Sequence, residues 1–219
     1  MMKGSLVVIP AFNEEATVKN VVTKCAEYCD VLVVNDGSTD GTAIEASLAG
    51  AVVLTNDGNK GYEYSLNVAY IYAVEHNYDL MITMDADGQL PAESLPKFIK
   101  AIEDGASLAV GNRIIKPRVC EKIFAFFASR LSSIEDPYCG MKAYCLKALK
   151  GNTFSQYNSI GTSLALEYIE QQLLCQNIDI EIKERDGKSK FGGKLSSELK
   201  LFRSMIIGNF RLLKIRMNC

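Results

Sequence analysis

The stretch Leu80-Met81-Ile82-Thr83-Met84-Asp85-Ala86-Asp87-Gly88-Gln89-Leu90 decides the fold. Its first half is an apolar run, and the run ends in two carboxylates one residue apart. Strands covered on both faces read as continuous apolar runs, and open α/β sheets collect their ligands at the carboxyl ends of strands. The stretch therefore reads as a central strand that delivers Asp85 and Asp87 to a site. Two like charges placed so close call for something that offsets their repulsion.

The same rhythm repeats through the first half of the chain. Short apolar runs at Leu6–Ile9, Val31–Val34, Val52–Leu54, Leu80–Met84 and Leu108–Val110 alternate with helix-like stretches near 14–28, 40–49, 62–76 and 92–104. This is the βαβ pattern of a parallel sheet with right-handed crossovers. Asn13-Glu14-Glu15 places acids in the first turn of the first helix, Ser38, Thr39 or Asp40 can cap the second, and Pro91 with Glu93 opens the fourth. The expected fold class is α/β: a single Rossmann-like domain over residues 1–219, with a mainly parallel central sheet flanked by helices. After about residue 115 the rhythm breaks. A helix is expected over Ile123–Leu131, strands over Tyr138–Tyr144 and Ile178–Lys183, and a helix over Ser163–Leu174. Gly187, Gly192 and Gly193, set among Lys188, Ser189 and Lys190, form a basic loop. Leu199, Phe202, Ile206, Phe210, Leu213 and Met217 then recur at helical spacing in a final basic amphipathic helix over 195–219.

The composition, 48% hydrophobic and 23% charged over 219 residues, is that of an ordinary globular chain. Seven cysteines behind an N-terminus that lacks a secretory pattern fit a reducing compartment better than a disulfide framework. Cys25 and Cys29 are four apart, but no second Cys/His pair follows, so a metal site there is not expected. No apolar run reaches the ~18 residues of a bilayer span. The expectation is a cytoplasmic protein, soluble or peripheral on the inner face of the membrane. The net charge of −2 is uneven: ten basic and three acidic residues from Lys183 onward give that segment +7 and leave −9 for residues 1–182. An anionic partner would dock on this tail. No nucleic-acid partner is expected.

Each loop after the first five strands carries polar residues: Pro10-Ala11-Phe12-Asn13-Glu14, Asn35-Asp36-Gly37-Ser38-Thr39-Asp40-Gly41-Thr42, Asn56-Asp57-Gly58-Asn59-Lys60-Gly61, Asp85-Ala86-Asp87-Gly88-Gln89 and Gly111-Asn112-Arg113. Turn and cap chemistry accounts for any one of them. Five along one sheet edge point to a site. Carboxylate oxygens suit a hard divalent cation whose remaining positions go to substrate phosphates, so Asp85 and Asp87, with the Gln89 amide as a third ligand, make a candidate metal site. Lys60, Arg113 and the Arg185/Lys188/Lys190 loop would face the same diphosphate.

These residues carry a resemblance. Ile9 to Glu15, Val34 to Thr42, Asn59-Lys60-Gly61 and Met84 to Gln89 resemble the successive motifs of family 2 glycosyltransferases, which have the GT-A fold. Gly111-Asn112-Arg113, the segment Glu135 to Tyr144 and Gly187 to Lys190 resemble more narrowly the polyprenyl-phosphate sugar transferase branch, typified by dolichol-phosphate mannose synthase. The match runs in order from about residue 5 to 195. It implies a UDP- or GDP-sugar donor, Mg²⁺ or Mn²⁺, inversion at the anomeric carbon and an acceptor such as a polyprenyl phosphate or a glycan intermediate. It further implies a nucleotide-sugar-binding half at 1–115 and an acceptor half at 116–194. By position, Pro10, Phe12, Glu14 and Asp36 would surround the base and ribose, and Asp85, Asp87 and Gln89 would hold the metal and diphosphate. Ala11, Asn13, Gly37, Lys60, Gly61, Ala86, Arg113, Arg185 and Lys190 complete the expected nucleotide-sugar-binding set. Asp136 stands where many relatives have the catalytic base, a role that inversion onto a hydroxyl requires. A phosphate acceptor is already ionised, and Asp136 would then orient groups instead.

The chain departs from the pattern at Leu90, where many relatives have a polar residue, and at Tyr62, Glu63 and Tyr64, where small residues are common. Those aromatics would either reshape the pocket or pack on the sheet. Without membrane-spanning segments, the last helix becomes the candidate for membrane-surface contact, or else it covers the core or a partner copy in a homo-oligomer. Two alternatives stand beside the transferase. A sugar nucleotidyltransferase usually needs a Gly-rich basic loop after the first strand, where Pro10 to Glu14 stand. A non-catalytic nucleotide-sugar-binding protein would not need both Asp85 and Asp87. The absence of G-x-G-x-x-G and the single histidine, His76, argue against dinucleotide chemistry and a Ser-His-Asp triad.

Overall fold

The computed structural model describes residues 4–114, 134–149 and 162–183. The helix expected over Ile123–Leu131, the basic loop with Arg185 and Lys190, and the final helix over 195–219 lie outside the described residues.

Seven strands form one sheet: β1 (Ser5–Ala11), β2 (Asp30–Asn35), β3 (Val52–Thr55), β4 (Leu80–Thr83), β5 (Leu108–Arg113), β6 (Lys142–Cys145) and β7 (Cys175–Ile180). Their spatial order is β3-β2-β1-β4-β6-β5-β7. β6 runs antiparallel to both its neighbours, and every other pairing is parallel. The helices are α1 (Val18–Cys25), α2 (Thr42–Leu48), α3 (Tyr62–Glu75), α4 (Leu95–Glu103), which follows a 3₁₀ turn at Ala92–Ser94, and α5 (Ser163–Glu170).

The apolar runs become strands because helices cover both faces of the sheet. Val7, Ile9, Leu80 and Ile82 face a core shared with Val22 of α1, Ala46 of α2 and Phe98 of α4. Leu6, Val8, Leu32 and Met81 face the opposite core with Leu66 and Ala69 of α3 and Leu164 and Tyr168 of α5. All four residues of β4 are buried. Each large apolar side chain buried this way contributes about 1.5–3 kcal/mol. The chain steps outward from β1 to β3 and then crosses back over β1 to lay down β4 on its other side. That reversal opens a crevice at the carboxyl ends of β1 and β4, the place where α/β sheets bind ligands. The loop after Ala11 and the loop carrying Asp85 flank it.

Several boundaries differ from the sequence pattern, each for a tertiary reason. α1 starts at Val18 with Thr17 as N-cap and no acid in its first turn. Asn13, Glu14 and Glu15 are instead drawn to the β2–α2 loop. The Asn13 N–H donates to Ser38 Oγ at 2.9 Å and the Glu14 N–H to Thr42 Oγ1 at 2.8 Å, while the Gly41 N–H donates to Glu15 Oε2 at 3.1 Å. The N-cap of α2 is Gly41 rather than Ser38, Thr39 or Asp40; Asp40 instead accepts the Thr42 N–H at 3.0 Å from the position before it, and the Thr39 N–H donates to Asn13 Oδ1. The 3₁₀ turn opens after Pro91, whose carbonyl accepts from the Ser94 N–H. Only Lys142–Cys145 of the Tyr138–Tyr144 segment is strand, and β7 runs over Cys175–Ile180 rather than Ile178–Lys183. Pairing sets both limits: Leu108 stands opposite Tyr144 and Cys175 in the two ladders. α5 ends at Glu170, and Gln172 turns to φ 54°, so the helix stops short of Leu173 and Leu174.

Cys25 is buried, and burial, reinforced by Cys29, pushes its thiol up to about 12; burial and Asp30 take Cys29 up to about 11. Since the thiolate is the nucleophile, Cys25 in the native protein at pH 8 should react with iodoacetamide on the order of a thousandfold more slowly than an unperturbed thiol. Peptide mass spectrometry before and after unfolding measures this, and rapid native labelling of Cys25 would contradict its placement.

Candidate active site

The crevice is built from three loops that hold one another. Asp36, at the end of β2, is buried, and its carboxylate is a hub: Oδ1 accepts the Asn56 side-chain N–H at 2.8 Å and the Lys60 backbone N–H at 2.9 Å, and Oδ2 accepts the Gly61 N–H at 2.8 Å. One carboxylate thus fixes the third loop to the second and sets where α3 begins. Gly37 seals the junction. Its φ is +71°, and a Cβ there would lie 2.5 Å from the Gly58 carbonyl carbon and 2.9 Å from the Asn59 nitrogen. Both partners are backbone, so neither can swing aside. Gly37→Ala should lower stability by about 2–3 kcal/mol through strain and loss of loop contact, a shift read from the urea midpoint. An unchanged midpoint would mean that the two loops are not packed together.

Of the residues expected around the base and ribose, Pro10 and Ala11 close β1, and Phe12 is 38% exposed beyond it. Asn13 sits at φ 55° and, with Glu14, is bonded to the second loop as above. The structure therefore brings Pro10, Ala11, Phe12, Asn13, Glu14, Asp36 and Gly37 into one layer. The Lys60 ammonium lies 3.0 Å from Asp57 on the surface, so at this position it is the backbone N–H that faces inward to Asp36.

Asp85, Ala86 and Asp87 follow β4 directly. Burial, and after it the neighbouring Asp87, push the Asp85 carboxyl up to about 6, against the opposing pull of Lys142, Tyr62 and Arg113. Asp87 Oδ1 accepts the Gln89 N–H at 3.1 Å, and the Gln89 carbonyl accepts the Lys183 N–H at 2.9 Å, which ties this loop to the chain leaving β7. Lys183 Nζ also reaches Glu93 at 2.5 Å. Two carboxylates one residue apart, with burial and Asp87 raising the proton affinity of Asp85, are a donor set that a hard divalent cation fits. Among the described residues no group of three or more His, Cys, Asp or Glu is arranged to hold a metal.

Asp136 lies behind the acids, 1% exposed, with both oxygens engaged by Arg113. Nε is at 2.7 Å from Oδ2 and Nη2 at 3.0 Å from Oδ1, and the Arg113 backbone N–H adds a bond at 3.2 Å. The Arg113 side chain is 12% exposed. The pair is a bidentate fork of the strong kind.

Two participants had only weak signals in the sequence. Lys142 is a lysine buried in a strand, its ammonium donating to the Cys139 carbonyl at 2.5 Å. Burial pushes its pKa down, while Cys139, Asp136, Asp85 and Glu63 act the other way. Its amine lies within electrostatic reach of Asp136, Asp85 and Glu63, and a lysine between apolar neighbours in Met141-Lys142-Ala143 was the clue. Tyr62 packs against the second core, yet its hydroxyl donates to Asp85 Oδ1 at 3.3 Å. That aromatic thus packs beside the sheet while its hydroxyl reaches the acid pair. His76 is exposed, stacked on Tyr72 at 3.8 Å.

A family model described as Glycosyl transferase family 2 matches residues 6–126. The chain is 32% identical over 120 residues to a polyprenol monophosphomannose synthase of Mycolicibacterium smegmatis, covering 51% of this chain and 45% of that protein. It is 28% identical over 197 residues to a dolichyl-phosphate hexose transferase of Haloferax volcanii, covering 84% and 85%. A dolichol-phosphate mannosyltransferase of Pyrococcus furiosus is 26% identical over 213 residues, covering 86% and 59%. The chain thus spans about half the length of the first and most of the second. Among solved structures, glucosyl-3-phosphoglycerate synthase from Mycobacterium tuberculosis, in complex with Mn²⁺, UDP and glucosyl-3-phosphoglycerate, superposes with a TM-score of 0.75 at 18% identity, covering 95% of this chain and 79% of that one. The complex of the same enzyme with phosphoglyceric acid gives 0.76 at 19%. The fold is GT-A, as the resemblance implied.

Proposed function

The chain belongs to glycosyltransferase family 2, and we propose that it is a metal-dependent inverting glycosyltransferase moving a sugar from a UDP- or GDP-sugar to a polyprenyl phosphate. The observation that carries this reading is the Asp85/Asp87 pair at the crevice between β1 and β4, walled by the Asp36 loops and backed by Arg113 and Lys142. The names of the relatives from Mycolicibacterium, Haloferax and Pyrococcus support the acceptor class.

In this reading Pro10 to Glu14, Asp36 and Gly37 form the wall for base and ribose, with the Phe12 ring available for an apolar contact. Gly61 and the Lys60 backbone keep that wall closed through Asp36. Asp85 and Asp87, with Gln89 beside them, hold Mg²⁺ or Mn²⁺, and the bound ion offsets the charge that develops on the departing nucleoside diphosphate. Arg113 supplies fixed positive charge near the acids, and the Lys142 amine stands close by. Asp136 orients Arg113 through its two-pronged contact. A phosphate acceptor needs no proton removed, so a polyprenyl phosphate is compatible with an Asp136 whose oxygens are both occupied, whereas a hydroxyl acceptor would require one of them to be released. Arg185 and Lys190 are assigned to the diphosphate from their positive charge in the sequence and from the resemblance. No described helix is long and apolar enough to cross a membrane, and a lipid-linked acceptor would be met at the bilayer surface.

The test is donor turnover. The full chain is mixed with a UDP- and GDP-sugar panel, Mn²⁺ and a short polyprenyl phosphate in detergent, and release of nucleoside diphosphate is followed. Acceptor-dependent release of one diphosphate is the expected result. Tight donor binding with no release under any acceptor would favour a binding protein instead.

A further inference from the structure

Asp87 Oδ1 accepts the Gln89 N–H within its own turn. Asp85 is held by two segments remote in sequence. From one side comes the Tyr62 hydroxyl, at 3.3 Å from Oδ1. Tyr62 is the first residue of α3, and the residue before it, Gly61, is bonded to Asp36 Oδ2. The phenol is thus placed by the nucleotide wall itself.

From the other side comes backbone. The Asp85 carboxylate lies directly over Gly140, where a Cβ would fall 2.5 Å from Asp85 Cγ and Oδ1 and closer still to Oδ2. Gly140 cannot retreat. Its carbonyl accepts the Thr83 hydroxyl at 2.6 Å, the Lys142 N–H donates to that same hydroxyl oxygen at 3.2 Å, and the Cys139 N–H is bonded to the Asp136 carbonyl at 3.1 Å. Thr83 belongs to β4, two residues before Asp85, so the glycine is stitched to the strand that presents the acid.

We infer that Tyr62 and Gly140 are positioning residues that fix the Asp85 carboxylate between a hydroxyl and a bare backbone Cα, so that it meets a divalent cation already ordered. This rests on the reading of Asp85 as a metal-holding residue and adds two residues to it. The physical gain is preorganisation. A carboxylate free to rotate loses that freedom on binding, and one clamped beforehand does not. The clamp also couples the nucleotide wall to the metal, because Asp36 sets the start of α3 and the start of α3 sets the phenol.

The experiment is Mn²⁺ binding by the full chain, followed by electron paramagnetic resonance of free Mn²⁺, in the presence of UDP and separately of GDP. The set is wild type, Tyr62→Phe, Gly140→Ala, Tyr64→Phe and Asp85→Ala. Tyr62→Phe keeps the ring and removes one hydrogen bond to a charged acceptor, so Mn²⁺ affinity should fall about tenfold. Its metal-free melting temperature should stay within about 2 °C of wild type because the packed ring is retained, and a packing role alone would leave Mn²⁺ affinity unchanged as well. Gly140→Ala should weaken binding at least as much, and Tyr64→Phe should match wild type. If Asp85→Ala loses Mn²⁺ while Tyr62→Phe binds like wild type, the inference is overturned and the metal reading survives. If Asp85→Ala and wild type behave alike, the metal reading fails and takes the inference with it. Should Gly140→Ala not fold, Tyr62→Phe decides alone.

Discussion

Asp85→Ala and Asp87→Ala are each expected to lower sugar transfer by at least about a thousandfold while leaving the fold intact. On the proposed reading the loss follows from removing half of a two-carboxylate donor set where leaving-group charge would develop, and electrostatic effects of that kind are the largest single contributions in many enzymes. The effect on stability should have the opposite sign. Burial, with Asp87 beside it, raises the Asp85 carboxyl from 3.8 to about 6 in the folded protein. The folded state therefore binds more protons than the unfolded state between those values, and this group's contribution becomes less favourable as pH rises through that window. Above about pH 6 the metal-free protein carries a strained charge that the variant lacks. Asp85→Asn should accordingly melt at or above the wild-type temperature at pH 8 without metal, and the difference should vanish near pH 4. Such an exchange of stability for function is common at working sites. Scanning calorimetry at the two pH values, paired with turnover assays, checks both halves. Near-normal turnover in both alanine variants would remove the metal assignment.

The second large effect is expected at Arg113. Asp136 is 1% exposed and meets the guanidinium through both oxygens. Arg113→Ala leaves a buried carboxylate without its partner, a change that typically costs about 3–5 kcal/mol. Asp136→Asn keeps the shape and removes the charge, so its cost should be smaller and should fall on turnover more than on donor affinity, because it frees the guanidinium to move. The double variant Arg113→Met/Asp136→Leu should recover much of the lost stability and none of the activity. Denaturant unfolding and steady-state kinetics on the four proteins complete the cycle. If Arg113→Ala loses less than about 1 kcal/mol, the fork is not what holds this part of the site.

Local pattern in the sequence determined the α/β class, because residues such as Leu80 to Thr83 must be apolar to sit between two helical layers. It also identified the loops of the site, because a chain leaving a buried strand must present its polar residues there. Asp85, Asp87 and Asp36 could be named from the sequence because each directly follows such a run. What each polar group does was decided by tertiary structure. Glu14 and Glu15 follow the helix-capping pattern and became crosslinks to the β2–α2 loop, since bonds to Thr42 and Gly41 displaced the start of α1 to Val18. β7 is a polar edge strand whose limits come from pairing with β5 and leave no period in the sequence. Arg113 meets Asp136, and Tyr62 meets Asp85, each across twenty-three residues. Such pairs exist only because β6 inserts between β4 and β5 and α3 crosses back over β1. A sequence records which groups are available, but two groups so far apart meet only when the order of strands brings them together, and that order is set by the packing of the whole sheet.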